Sequence, residues 1–147
     1  MKKTVMVLLM FAAASLPAWA ALGGDVSTVS SDVKVFGGQD VAVAREGYTL
    51  HQITRPDGSV IKEYVSPAGV VFGVSWQAHR TPNLQQLLGT YITNFQEGQR
   101  VQVIPRRAVT VQGDNFVYSS MGHMRSFRGR AYVPGLVPAS LTPEVVQ

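Results

Sequence analysis

Two turns that pair proline with glycine constrain the fold of this chain more than any other feature. The tetrapeptides Arg55-Pro56-Asp57-Gly58 and Ser66-Pro67-Ala68-Gly69 separate three runs of β-favouring residues. Proline presets φ at the second turn position, and glycine accepts positive φ where the chain re-enters a sheet. Each run is therefore predicted to fold back antiparallel on the previous one, which gives a three-stranded meander.

The segment after the meander is predicted to be one amphipathic helix. Its large apolar residues recur at intervals of three and four, as on a single helix face: Leu84, Leu87, Leu88, Tyr91, Ile92 and Phe95. Thr81 suits the N-cap, and Gly98 suits the position after the last turn. The helix carries no charge between Arg80 and Glu97, so we expect its polar face to be partly covered by the N-terminal arm or a partner.

Further strands are predicted after the helix, over residues 101–104, 108–112, 116–121 and 124–133. Gly113-Asp114-Asn115 is predicted to be a hairpin turn. The fold class is therefore α+β. It combines an antiparallel β-sheet, made of the three-stranded meander plus later strands, with one principal amphipathic helix as its cover.

The first twenty residues have the three parts of a signal peptide. Lys2 and Lys3 precede the apolar run 5–14, and Ala18-Trp19-Ala20 is a typical cleavage site. Cleavage is predicted after Ala20. An uncleaved membrane anchor is the alternative, but Pro17 and the small residues beside it argue against one. We expect a periplasmic or secreted protein with no stable membrane span after cleavage.

The remaining residues suffice for one domain. Residues 21–40 are predicted to be a flexible N-terminal arm with a short helix near 26–33, residues 41–133 the α+β domain, and residues 134–147 a proline-containing C-terminal tail. Because the chain has no cysteine, disulfides and thiolate metal sites are excluded.

Basic residues concentrate late in the chain, where six arginines from residue 98 onward face only two acidic residues. Strand parity puts Arg128, Arg130 and Tyr132 on one face, opposite a core face, with Arg106 and Arg107 nearby. Such a face is either simply solvated or the contact surface for an anionic partner, either an acidic envelope protein or a polysaccharide. Nucleic acid is not expected as the partner of an exported protein.

The sequence favours a non-catalytic binding module, and two chemical functions are the alternatives. Met121 and His123 are candidate Cu(I) ligands on one strand face, although Met124 turns away and leaves only two. A small hydrolase is the other alternative, because Gly73-Val74-Ser75-Trp76-Gln77 approaches the nucleophile-elbow motif but lacks its last glycine. No cofactor and no catalytic residue are predicted.

Several motifs together give a family resemblance. They are Glu63-Tyr64-Val65-Ser66-Pro67-Ala68-Gly69, Val71-Phe72, Trp76-Gln77, the 84–89 segment, Gly122-His123-Met124-Arg125, Phe127 and Gly129-Arg130-Ala131-Tyr132. With these residues the chain resembles a proteobacterial family of exported proteins, domain of unknown function 2844. The resemblance implies secretion and one compact domain, and it implies no activity, cofactor or catalytic residue.

Overall fold

One antiparallel sheet of seven strands runs through residues 22–101 and 108–147, the part of the chain that this computed structural model describes. The strands are β1 (Gln39–Arg45), β2 (Tyr48–Thr54), β3 (Val60–Val65), β4 (Val71–Ala78), β5 (Ala108–Gln112), β6 (Val117–His123) and β7 (Ser126–Tyr132). Their order across the sheet is β1-β2-β3-β4-β7-β6-β5. The signal peptide predicted over residues 1–20 lies outside the described residues.

The predicted meander is confirmed as β2, β3 and β4, and both of its turns form as expected. Gly58 and Gly69 each have φ near +79°, and their backbone N–H groups donate to Arg55 and Ser66 carbonyls. The sheet is nevertheless larger than predicted. Strand β1 adds to the outer edge of the meander, and a second meander, β5-β6-β7, joins it through the pairing of β4 with β7.

The prediction of one continuous helix after the meander is wrong. Two helices replace it, α2 (Leu84–Leu88) and α3 (Ile92–Val101), with a 3-10 turn at Gly89–Tyr91 between them. The break falls at Gly89, whose φ of +52° is a conformation that glycine adopts readily. Asn83, not Thr81, caps α2, and its side chain accepts a hydrogen bond from the Gln86 N–H. The N-terminal helix Val29–Phe36, which precedes β1 in the chain, is α1.

The end of α3 also differs from the prediction. Gly98 lies inside α3, where a Cβ atom would overlap the Val111 side chain, so this glycine permits close packing on β5. Val101, the first residue of the strand predicted over 101–104, is the last residue of α3, and the rest of that predicted strand lies outside the described residues. No helix in the described ranges is long and apolar enough to cross a membrane.

All three of these helices contribute to the main core, so no single helix is the only cover of the sheet. The core holds Ile53, Ile61, Val74, Trp76 and Ala131 from the strands and Leu87, Leu88 and Phe95 from α2 and α3. Three buried side chains come from the segment predicted to be a flexible arm: Leu22, Val29 and Phe36. The Leu22 N–H donates to the Leu87 carbonyl, which ties this segment to α2.

The opposite face of the sheet is covered in part by residues 134–147, which we call the tail. Buried Val146 packs on Tyr64 and Phe72, and Leu136, Val137, Leu141 and Val145 complete this second cluster. Gly73 makes room for the tail, because a Cβ there would lie 2.5 Å from a Val146 methyl carbon. The tail leaves the other half of this face open. The predicted division into arm, domain and tail stays a prediction.

Candidate anion-binding groove

The strand register brings basic and polar side chains together on the open half of the tail-side face. Residues that pair directly across antiparallel strands point to the same face. Arg130 pairs with Ser75 on β4, and Ser75 pairs in turn with Lys62 on β3. Arg128 pairs with Gln77 on β4. Between the two arginines, Gly129 turns to the core face, where it leaves space for the Trp76 ring.

These side chains line a groove of about 490 Å³. Lys62, Arg128 and Arg130 supply three cations, while Gln52, Gln77 and Ser119 supply amide and hydroxyl groups. None of the described residues that line the groove is acidic. Because neighbouring strands lie about 4.8 Å apart, Lys62 and Arg130 flank Ser75 at roughly that spacing on either side. The groove is therefore a site of positive potential with hydrogen-bonding walls.

The tail reaches the border of the groove with its last two residues. The main-chain oxygen of Gln147 accepts hydrogen bonds from Tyr64 Oη at 2.6 Å, Ser75 Oγ at 3.0 Å and Lys62 Nζ at 3.1 Å. Arg130 Nη1 donates to the Val146 carbonyl oxygen at 3.2 Å. Four donors of the sheet thus meet the main-chain oxygens of two consecutive tail residues.

An acidic side chain of the tail lies near this region without lining the groove. Hydrogen bonds from Thr142 and from its own backbone lower the pKa of Glu144, and the positive charge of Arg130 lowers it further. Glu144 is fully exposed. Its carboxylate is therefore attracted to Arg130 through solvent, and it does not line the groove.

A family model described as "Protein of unknown function (DUF2844)" matches residues 18–146. The chain belongs to this family. No curated protein matches the sequence, and no solved structure matches it either.

Several residues behind the family resemblance surround the groove. Tyr64 lies on β3, Trp76 and Gln77 on β4, and the 129–132 segment on β7, so these motifs meet at the centre of the sheet. Gly129 and Trp76 form a cross-strand pair. Residues behind the family resemblance thus lie on β3, β4 and β7, the strands that form the floor of the groove.

The structure separates the predicted partner-binding residues into three groups. Arg128 and Arg130 line the groove on the face that strand parity predicted. Tyr132 shares that face but pairs with Gly73 and packs in the cluster beneath the tail, away from the groove lining. Arg106 and Arg107 lie outside the described residues. Lys62 was not predicted as a site residue, because each face of β3 carries one charged and two apolar residues and the sequence gives no signal for the orientation of the strand.

The two copper candidates lie at one end of β6. Met121 pairs with Arg128 on the neighbouring strand β7, and His123 pairs with Ser126 beside the turn that joins β6 to β7. Met124 is 87% exposed in that turn. A guanidinium opposite Met121 disfavours a metal cation there by charge repulsion. The described residues also hold no cluster of three or more histidine or carboxylate side chains arranged for a metal ion.

Ser75, the serine of the elbow-like motif, is almost fully buried on β4. Among the described residues its hydroxyl has hydrogen bonds with Tyr64 and with Gln147. A serine nucleophile needs a general base in hydrogen-bond contact. No histidine, aspartate or glutamate side chain of the described ranges is hydrogen-bonded to Ser75, and Lys62 donates to the same tail oxygen as Ser75. The contacts of Ser75 therefore serve binding of the tail.

A second group of ionisable residues lies on the helix side of the sheet. Glu63 of β3 and Asp32 of α1 are both buried, and Gln86 Nε2 donates to Asp32 Oδ1 at 2.6 Å. Burial raises the pKa of Glu63 to about 10, and the carboxyls of Asp32 and Asp40 contribute to this increase. Burial also raises the pKa of Asp32. The hydrogen bond between Gln86 and Asp32 joins α2 to α1, and neither Asp32 nor Glu63 lines the groove.

Proposed function

We propose that this chain is an exported, non-catalytic binding module that holds an anionic partner in the groove. The observation that carries the proposal is the grouping of Lys62, Arg128 and Arg130 on one open surface that no described acidic side chain lines. The mature protein acts in the periplasm or outside the cell. Its partner is an acidic envelope protein or an anionic polysaccharide.

The charges of the groove support an anionic ligand on energetic grounds. Three cations held on adjacent strands repel one another, so a bound polyanion gains from all three at once. The Coulomb attraction between a carboxylate and one cation about 4 Å away is about 4 kcal/mol at the effective dielectric of a protein surface, and desolvation and side-chain entropy reduce the net gain to about 1 kcal/mol. The amides and hydroxyls of Gln52, Gln77 and Ser119 add hydrogen bonds that fix the ligand's orientation.

Export is supported by the predicted signal peptide and by the lack of cysteine, which suits an oxidising compartment. N-terminal sequencing of the protein from a periplasmic or culture-medium fraction tests this part of the proposal. We expect the mature chain to begin at Ala21. A cytosolic protein that retains Lys2 and Lys3 would refute export and would reopen the choice of partner.

Binding is tested by calorimetric titration of the mature protein with poly-aspartate and polygalacturonate, using neutral dextran as the control polymer. The variant Arg128→Ser/Arg130→Ser should bind the polyanions at least about tenfold more weakly than wild type, because each lost charge contact contributes about 1 kcal/mol or more. The matched control is Arg45→Ser/Arg100→Ser. It removes the same charge from exposed positions outside the groove.

The control variant should retain most of the wild-type affinity, and binding should weaken as salt is added. If wild type binds neither polyanion, the proposed function is wrong. If both double variants lose affinity equally, binding is a nonspecific effect of net charge and the groove is not the site.

A further inference from the structure

Strand β1 forms an unprotected edge of the sheet. It pairs with β2 on one side, and no described element pairs with its other side. Native edge strands are usually short, bulged or protected by lysine or proline, because a free edge accepts another strand. None of these features is present in β1. It pairs with β2 over seven residues in continuous register, and it contains neither lysine nor proline.

The middle of β1 is apolar as well as exposed. Residues 41–44 are Val, Ala, Val and Ala, and the charged residues Asp40 and Arg45 stand on either side of them. The Val41 side chain is 58% exposed. Addition of another strand would pair the outer backbone groups of β1 and remove apolar surface from water at the same time.

The turn between β1 and β2 determines which backbone groups of β1 point outward. Only two residues separate the strands, so their first pair, Arg45 with Tyr48, is hydrogen-bonded. Hydrogen-bonded and non-hydrogen-bonded pairs alternate along an antiparallel ladder. The odd-numbered residues of β1 therefore bond to β2. The N–H and C=O groups of Asp40, Ala42 and Ala44 point away from it.

These outward groups fit a second copy of β1 in one antiparallel register. When Ala42 lies opposite Ala42 of the second copy, all seven residues of each strand overlap. Asp40 then lies opposite Ala44 of the second copy, so every outward N–H and C=O of the strand has a partner. On the other face, exposed Val41 meets Val43 of the second copy in an apolar cross-strand pair.

The neighbouring registers are less favourable. A shift by two residues toward the turn places Asp40 opposite Glu46 of the second copy, and like charges directly opposite one another are destabilising. A shift by two residues the other way places the last two residues of β1 opposite Gly38 and Gly37, which precede the strand. Gly37 has a φ of +67° and is not extended. A shift by one residue opposes outward groups of one copy to inward groups of the other.

We propose that two copies of this chain associate through β1, with Ala42 at the two-fold axis, and so join their sheets. A two-fold interface requires a self-complementary surface, and β1 is self-complementary in this register. One added strand gives a small contact area, so we expect a dissociation constant in the micromolar range. The association does not involve the groove, so it can be tested separately from anion binding.

Sedimentation velocity of the mature protein over about 1 to 500 µM tests the association. Wild type should change from monomer to dimer as its concentration rises. Ala42→Lys and Ala42→Glu each place like charges opposite one another at the axis, so each should raise the dissociation constant at least about fivefold. The matched control is Thr110→Lys, an exposed position in the middle of β5 at the other edge of the sheet. It should dimerise like wild type.

An equal mixture of Ala42→Lys and Ala42→Glu tests the register. A lysine opposite a glutamate at the axis is attractive, so the mixture should form a dimer about as stable as that of wild type. This recovery requires residue 42 of one copy to lie opposite residue 42 of the other. If both variants weaken the dimer and their mixture does not restore it, the proposed interface is wrong.

Hydrogen exchange of wild type, measured at single-residue resolution by mass spectrometry, gives a second readout. The amides of Asp40, Ala42 and Ala44 should exchange quickly in the monomer and slowly in the dimer. The amides of Val41 and Val43, which bond to β2, should be protected in both. This alternation still decides the question if an Ala42 variant fails to fold.

Three results would overturn the proposal. The first is a wild-type protein that stays monomeric over the whole concentration range. The second is equally fast exchange of the three outward amides at both ends of that range. The third is a dimer that Thr110→Lys dissociates and both Ala42 variants retain, because its interface would then lie at β5.

Discussion

Replacing Glu63 by glutamine should change how the stability of the fold depends on pH. Glu63 is 1% exposed beneath α1, and neither of its carboxyl oxygens meets hydrogen-bond geometry with a described residue. The ionisable groups that face it are Asp32 from α1, Asp40 from β1 and His51, its cross-strand partner on β2. His51 is itself bonded to Asp40 at 2.8 Å. No lysine or arginine of the described residues is among the groups that act on the Glu63 carboxyl.

The size of the effect follows from the pKa of Glu63, which burial raises from 4.5 to about 10. Because the folded-state pKa lies above the unfolded value, the protonated Glu63 favours the folded state. This contribution to the unfolding free energy is fully present below about pH 4.5 and is lost as pH rises toward 10. Within that window the unfolding free energy falls by about 1.4 kcal/mol per pH unit. Between pH 5 and pH 8 the loss is roughly 4 kcal/mol for this one group.

Urea denaturation at pH 5, 6, 7 and 8 measures the slope. Wild type should lose several kcal/mol of unfolding free energy across the series, because the pKa of Asp32 is raised as well. Glu63→Gln cannot ionise in either state, so its curve should be flatter by about 4 kcal/mol over the same range. The control Glu97→Gln, on the exposed side of α3, should keep the wild-type slope. Equal slopes for wild type and Glu63→Gln would refute the reasoning.

Two further predictions concern core packing and metal binding. Gly129→Ala should destabilise the fold by about 2 kcal/mol, because the new Cβ overlaps the Trp76 ring. Gly135→Ala, which meets no atom within 4 Å, should change stability by less than about 0.5 kcal/mol in the same thermal denaturation; similar losses in both would contradict this. Calorimetric titration with Cu(I) under reducing conditions should show no tight site, since Arg128 lies opposite Met121. Submicromolar affinity that Met121→Leu abolishes would contradict that expectation.

Local signals predicted those parts of the fold that local physics determines. The two proline and glycine turns set the register of β2, β3 and β4, and alternation placed Arg128 and Arg130 on the face away from the core. These features depend on residues close together in sequence. They could be inferred before any long-range contact was known.

The features that the sequence analysis missed depend on distant residues. Strand β1 carries apolar residues at all four positions 41–44, so it shows no alternation of polar and apolar residues that would reveal it, and nearly its whole length is exposed. The helix break at Gly89 preserves the apolar spacing on both sides, which made two helices look like one. Lys62 belongs to the groove only because β3 is placed beside β4 and the tail ends next to both. Alternation within β3 could not indicate which face the tail would cover.

The pairing of β4 with β7 determines when the groove can appear during folding. Each meander closes through neighbouring segments, whereas the paired residues of β4 and β7 are about fifty or more positions apart, as in the Ser75 to Arg130 pair. Contacts of such long sequence separation are slow to form, because chain entropy must be lost first. Lys62 and Ser75 belong to one meander and Arg128 and Arg130 to the other. A chain that is still folding therefore has no assembled groove until the two halves of its sheet have joined.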